Sequence, residues 1–142
     1  MEQIITENIR KYAIYYRVKL KNIPQRNLKF PALRRTEKVL QKIPNAIFSI
    51  VGEGPLQRDL QEQAEKLGIS ERVVFLGFQR DVAACFASFD VVVFPSLWEG
   101  TPLTIFESMA MRKPIVSTDV DGLREVLVDG DNAIVVPSKD SE

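Results

Sequence analysis

The stretch "DVVVFPSLWEGTPLTIFESMA" (90–110) decides the fold. Residues 90–96 are apolar on both faces, as a central strand of a parallel sheet must be when helices cover it on both sides. A Gly-Thr-Pro bend follows at 100–102, and "PLTIFESMAMR" (102–112) has the composition of a helix. Working outward from this stretch, the same alternation recurs. Downstream, "PIVST" (114–118) predicts a strand, "GLREVLVDG" (122–130) a short helix closed by a turn, and "NAIVVP" (132–137) a last strand.

Upstream, "AIFSIVG" (46–52) and "RVVFLG" (72–77) predict strands, and "RDVAACFASF" (80–89) a short helix. "PLQRDLQEQAEKLG" (55–68) places Leu56, Leu60, Ala64 and Leu67 at helical spacing, with Pro55 suited to the first turn and Gly68 to the C-cap. "ALRRTEKVLQKI" (32–43) predicts an amphipathic helix, and "YAIYYRVKL" (12–20) a strand whose apolar pattern is interrupted by charge. The predicted class is α/β, a Rossmann-like parallel sheet flanked by helices. Residues 32–142 are expected to form the domain. Residues 1–31 are expected to be an atypical basic segment, a degraded first strand and phosphate loop. The chain stops at Glu142, just past the final strand, so the domain is expected to lack its closing C-terminal helices.

Composition narrows the chemistry. The chain has 142 residues, 45% hydrophobic and 27% charged, which suits one globular domain. A single cysteine, Cys85, builds no disulfide framework. The absence of histidine removes the usual neutral-pH base and argues against a zinc site. Net charge is zero, but residues 10–38 carry ten Lys or Arg against one acid, Glu37. That asymmetry suggests peripheral contact with an anionic membrane face, or simply a solvated terminus. No nucleic-acid recognition motif accompanies it. A cytoplasmic location, or one at the cytoplasmic membrane face, is expected.

Ligands of open parallel sheets sit at the carboxyl ends of the strands. Strand 90–96 delivers Glu99 to that edge, and the free amides of Leu103 and Thr104 lie in the following helical turn. Such amides, with the helix dipole behind them, attract phosphate. Thr101 or Thr104 can add a hydroxyl. Glu107, one turn on, can accept hydrogen bonds from vicinal hydroxyls, and Glu99 lies nearer the mouth. Two carboxylates beside a phosphate site fit a ligand with diphosphate in its middle and hydroxyl-rich groups at its ends, a nucleotide sugar. The plainer reading makes Glu107 a helix-surface acid and Glu99 a partner of the helix dipole. "VGEGP" (51–55) lets backbone approach a ligand through Gly52 and Gly54, or serves packing alone. It is not the dinucleotide fingerprint, since no third glycine follows.

Together "PNAIFSIVGEGP", "RVVFLGFQRDV", "DVVVFPSLWEGTPLTIFESMA" and "KPIVSTDVDGLREVLVDGDNAIVVP" resemble the nucleotide-sugar-binding domain of retaining glycosyltransferases with two Rossmann-like domains, family 4 (glycosyl transferases group 1). The resemblance implies one half of a GT-B fold and a hexosyltransferase-like transfer with retention of configuration. It implies that Glu99 contacts the donor sugar, Glu107 binds ribose hydroxyls, and the amides of Leu103 and Thr104 hold the diphosphate. It puts Gly77 and Phe78 beside the base and Gly52 and Gly54 at the border of the donor pocket. It requires no cofactor and no metal; the donor it implies is a UDP- or GDP-sugar. The family's phosphate-neutralising cations fall in "KLKNIPQRNLKF" (19–30), with Arg26 in the lysine's place and Lys19 or Lys21 in the arginine's. Arginine does not replace a point-charge lysine evenly. The resemblance also implies a separate acceptor-binding domain or subunit. The alternative is a non-catalytic nucleotide-sugar-binding or partner-interaction module, or an inactive fragment.

Overall fold

The computed structural model describes residues 11–15, 31–97 and 100–138. Its elements in chain order are β1 (Lys11–Tyr15), α1 (Pro31–Lys42), β2 (Ile47–Val51), α2 (Gln57–Lys66) and β3 (Val73–Gly77), the last preceded by a 3₁₀ turn at Ser70–Arg72. There follow α3 (Val82–Ala87), β4 (Val91–Phe94), α4 (Leu103–Ala110), β5 (Ile115–Asp119), α5 (Asp121–Arg124) and β6 (Ile134–Pro137). The six strands form one sheet in the order β3-β2-β1-β4-β5-β6, and every pair is parallel. This is the doubly wound order of the Rossmann fold, whose switch point lies between β1 and β4.

Alternation along the strands builds two cores, one on each face of the sheet. Phe48 and Ile50 of β2 pack with Leu33 of α1 and with Leu60 and Ala64 of α2. Val92 and Phe94 of β4 pack on the other face with Phe86 of α3, Ile105 of α4 and Leu123 of α5. Val93, between them in sequence, turns back to the first core. Burial of β4 on both faces is what its unbroken apolar run predicts.

Helix limits follow local chemistry. α2 ends where Gly68, at φ 68°, takes the left-handed conformation that closes a helix cheaply only in glycine. α3 starts at Asp81, whose Oδ1 accepts the Ala84 amide at 2.9 Å. Lys113 donates to the carbonyls of Ala87 and Phe89, at 3.0 and 2.8 Å, and so caps the other end of α3.

The short helix expected within 122–130 is a single turn, α5, which starts one residue earlier at Asp121. There Asn132 and Asp129 compete for the backbone. Asn132 accepts the Val128 amide and donates to the Val126 carbonyl, while Asp129 accepts the Val135 amide. Among the described residues, no helix is long and apolar enough to cross a membrane.

Candidate functional site

All six strands point their carboxyl ends to one edge, so the turns after them converge there. The turn after β2 is built on backbone. Gly52, at φ 114°, donates its N–H to the Gly77 carbonyl at 2.8 Å, joining the ends of β2 and β3. The β2–β3 register slips by one residue just there, between Ile50 and Val51, which leaves Leu76 without a rung partner.

Gly77 has φ 64°, so the chain leaves β3 through a left-handed residue. The next amide, Phe78 N–H, donates to Glu53 Oε1 at 3.3 Å. Phe78 itself is 67% exposed. The structure thus brings Gly52, Gly77 and Phe78 together, and adds Glu53, which the sequence reading passed over. Its signal was a carboxylate set between two glycines, but its partner lies 25 residues away and cannot be seen locally.

The turn after β4 is built differently. Pro102 is the N-cap of α4 in extended conformation, and no side chain among the described residues caps the helix. The first-turn amides of Leu103 and Thr104 therefore have no side-chain acceptor at the cap. Leu103 is 75% exposed, whereas Thr104 is 9% exposed, and its Oγ1 has no hydrogen-bond partner among the described residues. A buried hydroxyl without a partner is costly and calls for one.

Glu107 is exposed and lies one turn along from Leu103, on the face that also carries Phe106. Thr104, Ile105 and Ser108 form the opposite, buried face. Thr101 and Gly100 are exposed in the bend, as is Gly54 in the turn after β2. Glu99, Trp98, Arg26, Lys19 and Lys21 lie outside the described residues. The ends of β3 and β4 are three strand spacings apart, about 14 Å, so the two groups of residues flank the switch point from either side.

Farther along the edge, Arg124 is already engaged. It grips Asp119 through two nitrogens, at 2.5 and 3.0 Å, and reaches Asp121 at 3.1 Å. The hydrogen bond from Arg124 holds the Asp119 carboxyl below the usual carboxylate range, and Asp119 in turn raises Arg124. Arg124 is thus paired with acids rather than presented to an incoming anion. Burial, with some help from Asp81, pushes the Cys85 thiol up, away from thiolate reactivity. Among the described residues, no group of three or more acids and cysteines is placed to hold a metal ion.

Comparison with known proteins agrees with this architecture. The chain is 38% identical over 96 residues to the uncharacterized glycosyltransferase MJ1059 of Methanocaldococcus jannaschii, a match covering 67% of this chain and 24% of that protein. It superposes on a point mutant of Staphylococcus aureus TarM, in complex with fondaparinux, alpha-GlcNAc-glycerol and UDP, with TM-score 0.81 at 22% identity, covering 94% of this chain and 26% of that one. Anabaena Alr3699/HepE in complex with UDP-glucose matches with TM-score 0.77 at 24% identity, covering 99% of this chain and 38% of that one. At such identities the two structures speak for the fold alone. The chain spans about a quarter of the length of the curated relatives it matches. The family model for glycosyl transferases group 1 matches residues 20–142, nearly all of the sequence that forms this edge. With a Rossmann-type sheet of the GT-B kind and that match, the chain belongs to the group 1 glycosyltransferases.

Proposed function

We propose that this chain is the donor-binding half of a retaining glycosyltransferase, which moves a sugar from a nucleoside diphosphate to an acceptor held by residues outside this chain. The observation that carries the reading is the start of α4: among the described residues, its N-terminus has no side-chain cap and the buried Thr104 hydroxyl beside the switch point has no hydrogen-bond partner. Amides of Leu103 and Thr104, with the positive end of the helix behind them, suit the diphosphate. Glu107 takes the ribose hydroxyls, and Glu99 the donor sugar. Gly77 and Phe78 border the base, with Gly52 and Gly54 at the near wall. The UDP in the TarM complex and the UDP-glucose in the HepE complex support a uridine donor as the first to test, with GDP as the rival.

In the transfer, the bond from the anomeric carbon to the diphosphate breaks and the diphosphate leaves with the electron pair. The acceptor oxygen bonds to the same face of that carbon, and its proton passes to a diphosphate oxygen. Arg26, with Lys19 or Lys21, would neutralise the charge that develops on the leaving group. The donor reading is tested by titrating the chain with UDP, GDP and ADP while following backbone amide signals. Saturable shifts at Gly52, Leu103 and Thr104 are expected for one nucleotide. Glu107→Gln should weaken them about tenfold, the loss of hydrogen bonds to a charged acceptor. A well-dispersed spectrum unmoved by all three nucleotides would refute the reading.

A further inference from the structure

The β4–β5 ladder runs through Val92↔Ile115, Val93↔Val116 and Phe94↔Ser117 and stops there. Pro95 comes next, and proline has no N–H with which to continue a ladder. Beyond that point β4 leaves the sheet to become the turn that carries Glu99 and leads into α4. A buried hydroxyl from β5 takes over where the backbone rungs end.

Thr118, 3% exposed, places its Oγ1 2.5 Å from the Ser96 carbonyl and 3.2 Å from that of Phe94. A hydroxyl has one proton, and the shorter contact claims it. Ser117, 1% exposed, sets its Oγ 3.1 Å from the Thr118 carbonyl and 3.5 Å from the Phe94 carbonyl. Valine fills the same volume as threonine and is equally at home in a strand, so packing does not call for a hydroxyl at 118. The departing Ser96 carbonyl does.

We propose that Thr118 is a positioning residue for the donor site: its hydroxyl sets the point at which the β4–α4 turn leaves the sheet, and through it the course of the chain into the first amides of α4. This rests on the donor-site reading above. A backbone held two residues past the last rung is held where a small angular error would grow along the turn. The Thr118 end of the tie is buried and the Ser96 end half-buried, and the tie comes from a neighbouring strand, so it moves only with the sheet.

The test uses the 142-residue chain with Thr118→Val and Thr118→Ser, titrated with UDP and with UDP-glucose, or with GDP and GDP-mannose if guanine is the base the wild type takes. Amide signals of Leu97, Gly100 and Thr101 are recorded first without ligand. Thr118→Val should shift those signals and lower the affinity for the nucleotide sugar by about threefold to tenfold, the worth of one hydrogen bond. It should also reduce the preference for nucleotide sugar over nucleotide, which a uniform loss of stability would not do. Thr118→Ser should restore both.

Unshifted turn amides with wild-type affinities in Thr118→Val would overturn the proposal, and so would equal losses in the valine and serine variants. If the valine variant does not fold, Thr118→Ala against Thr118→Ser decides by the same signals. A wild-type chain that answers to neither nucleotide sinks the donor-site reading by itself. The ligand-free amide shifts then still decide whether Thr118 sets the turn.

Discussion

Two strand-to-helix turns face each other across the switch point, and they are held by opposite means. The turn from β2 to α2 is fixed by backbone: Gly52 at φ 114° bonds to Gly77, and Glu53 reaches over to the Phe78 amide. The turn from β4 to α4 is fixed by a side chain of the next strand, through the buried hydroxyl of Thr118. The first turn depends on conformations that side chains disfavour. The second depends on polar atoms that the core would otherwise exclude. A glycine is therefore informative in one turn and incidental in the other.

The sharpest way to break this contrast is a matched pair of substitutions. Gly52→Ala places a side chain at a φ that L-residues rarely adopt, at a cost of about 1–3 kcal/mol. Gly100→Ala adds a methyl with no heavy atom within 4 Å and no unusual φ, so it should stay within about 0.5 kcal/mol of the parent. Urea unfolding of both variants measures the difference, and equal losses would dissolve the distinction between the turns.

A smaller effect of opposite sign is expected at the start of α4. Thr104→Val removes a buried hydroxyl that has no partner among the described residues, so the free chain should gain up to about 1 kcal/mol. The same variant should bind nucleotide more weakly. Gained stability with unchanged binding, in paired unfolding and titration experiments, would leave the hydroxyl without a ligand to serve.

The smallest effect belongs to the outer part of the edge, where Asp119 and Arg124 pair in solvent. Arg124 lowers the folded-state pKa of Asp119 below its unfolded value. The pair therefore contributes fully above the unfolded pKa of about 3.9 and fades as pH falls through the lower folded value. Melting temperatures of wild type and Asp119→Asn should differ slightly at neutral pH and converge in strong acid. Salt should shrink the gap as well. A gap that widens toward low pH would contradict the pairing.

Much of the fold was legible in residue order. The unbroken apolar run at 90–96 announced a strand buried on both faces, and β4 is one. Leu60 and Ala64, spaced by four, announced the buried face of α2. The short helix expected within 122–130 is a single turn, because Asn132, from beyond that stretch, and Asp129, near its end, bond the backbone, a competition that helical spacing does not register. Of the candidate site, the start of α4 and the glycine turn after β2 were legible as backbone features, because strand ends and helix starts are local. Glu53 and Thr118 were not, since each matters through a partner that only the sheet brings near.

The sequence by itself determined most of the segments that become strands and helices, and that the sheet would be parallel, because burial patterns of strands and helices repeat over a few residues. Tertiary structure alone decided the order β3-β2-β1-β4-β5-β6, the insertion of Lys11–Tyr15 between β2 and β4, and the bonds from Phe78 to Glu53 and from Thr118 to Ser96. Strand order and register are settled by which nonlocal pairings bury the most apolar surface while leaving the fewest polar groups unpaired. No periodicity within one segment carries that information.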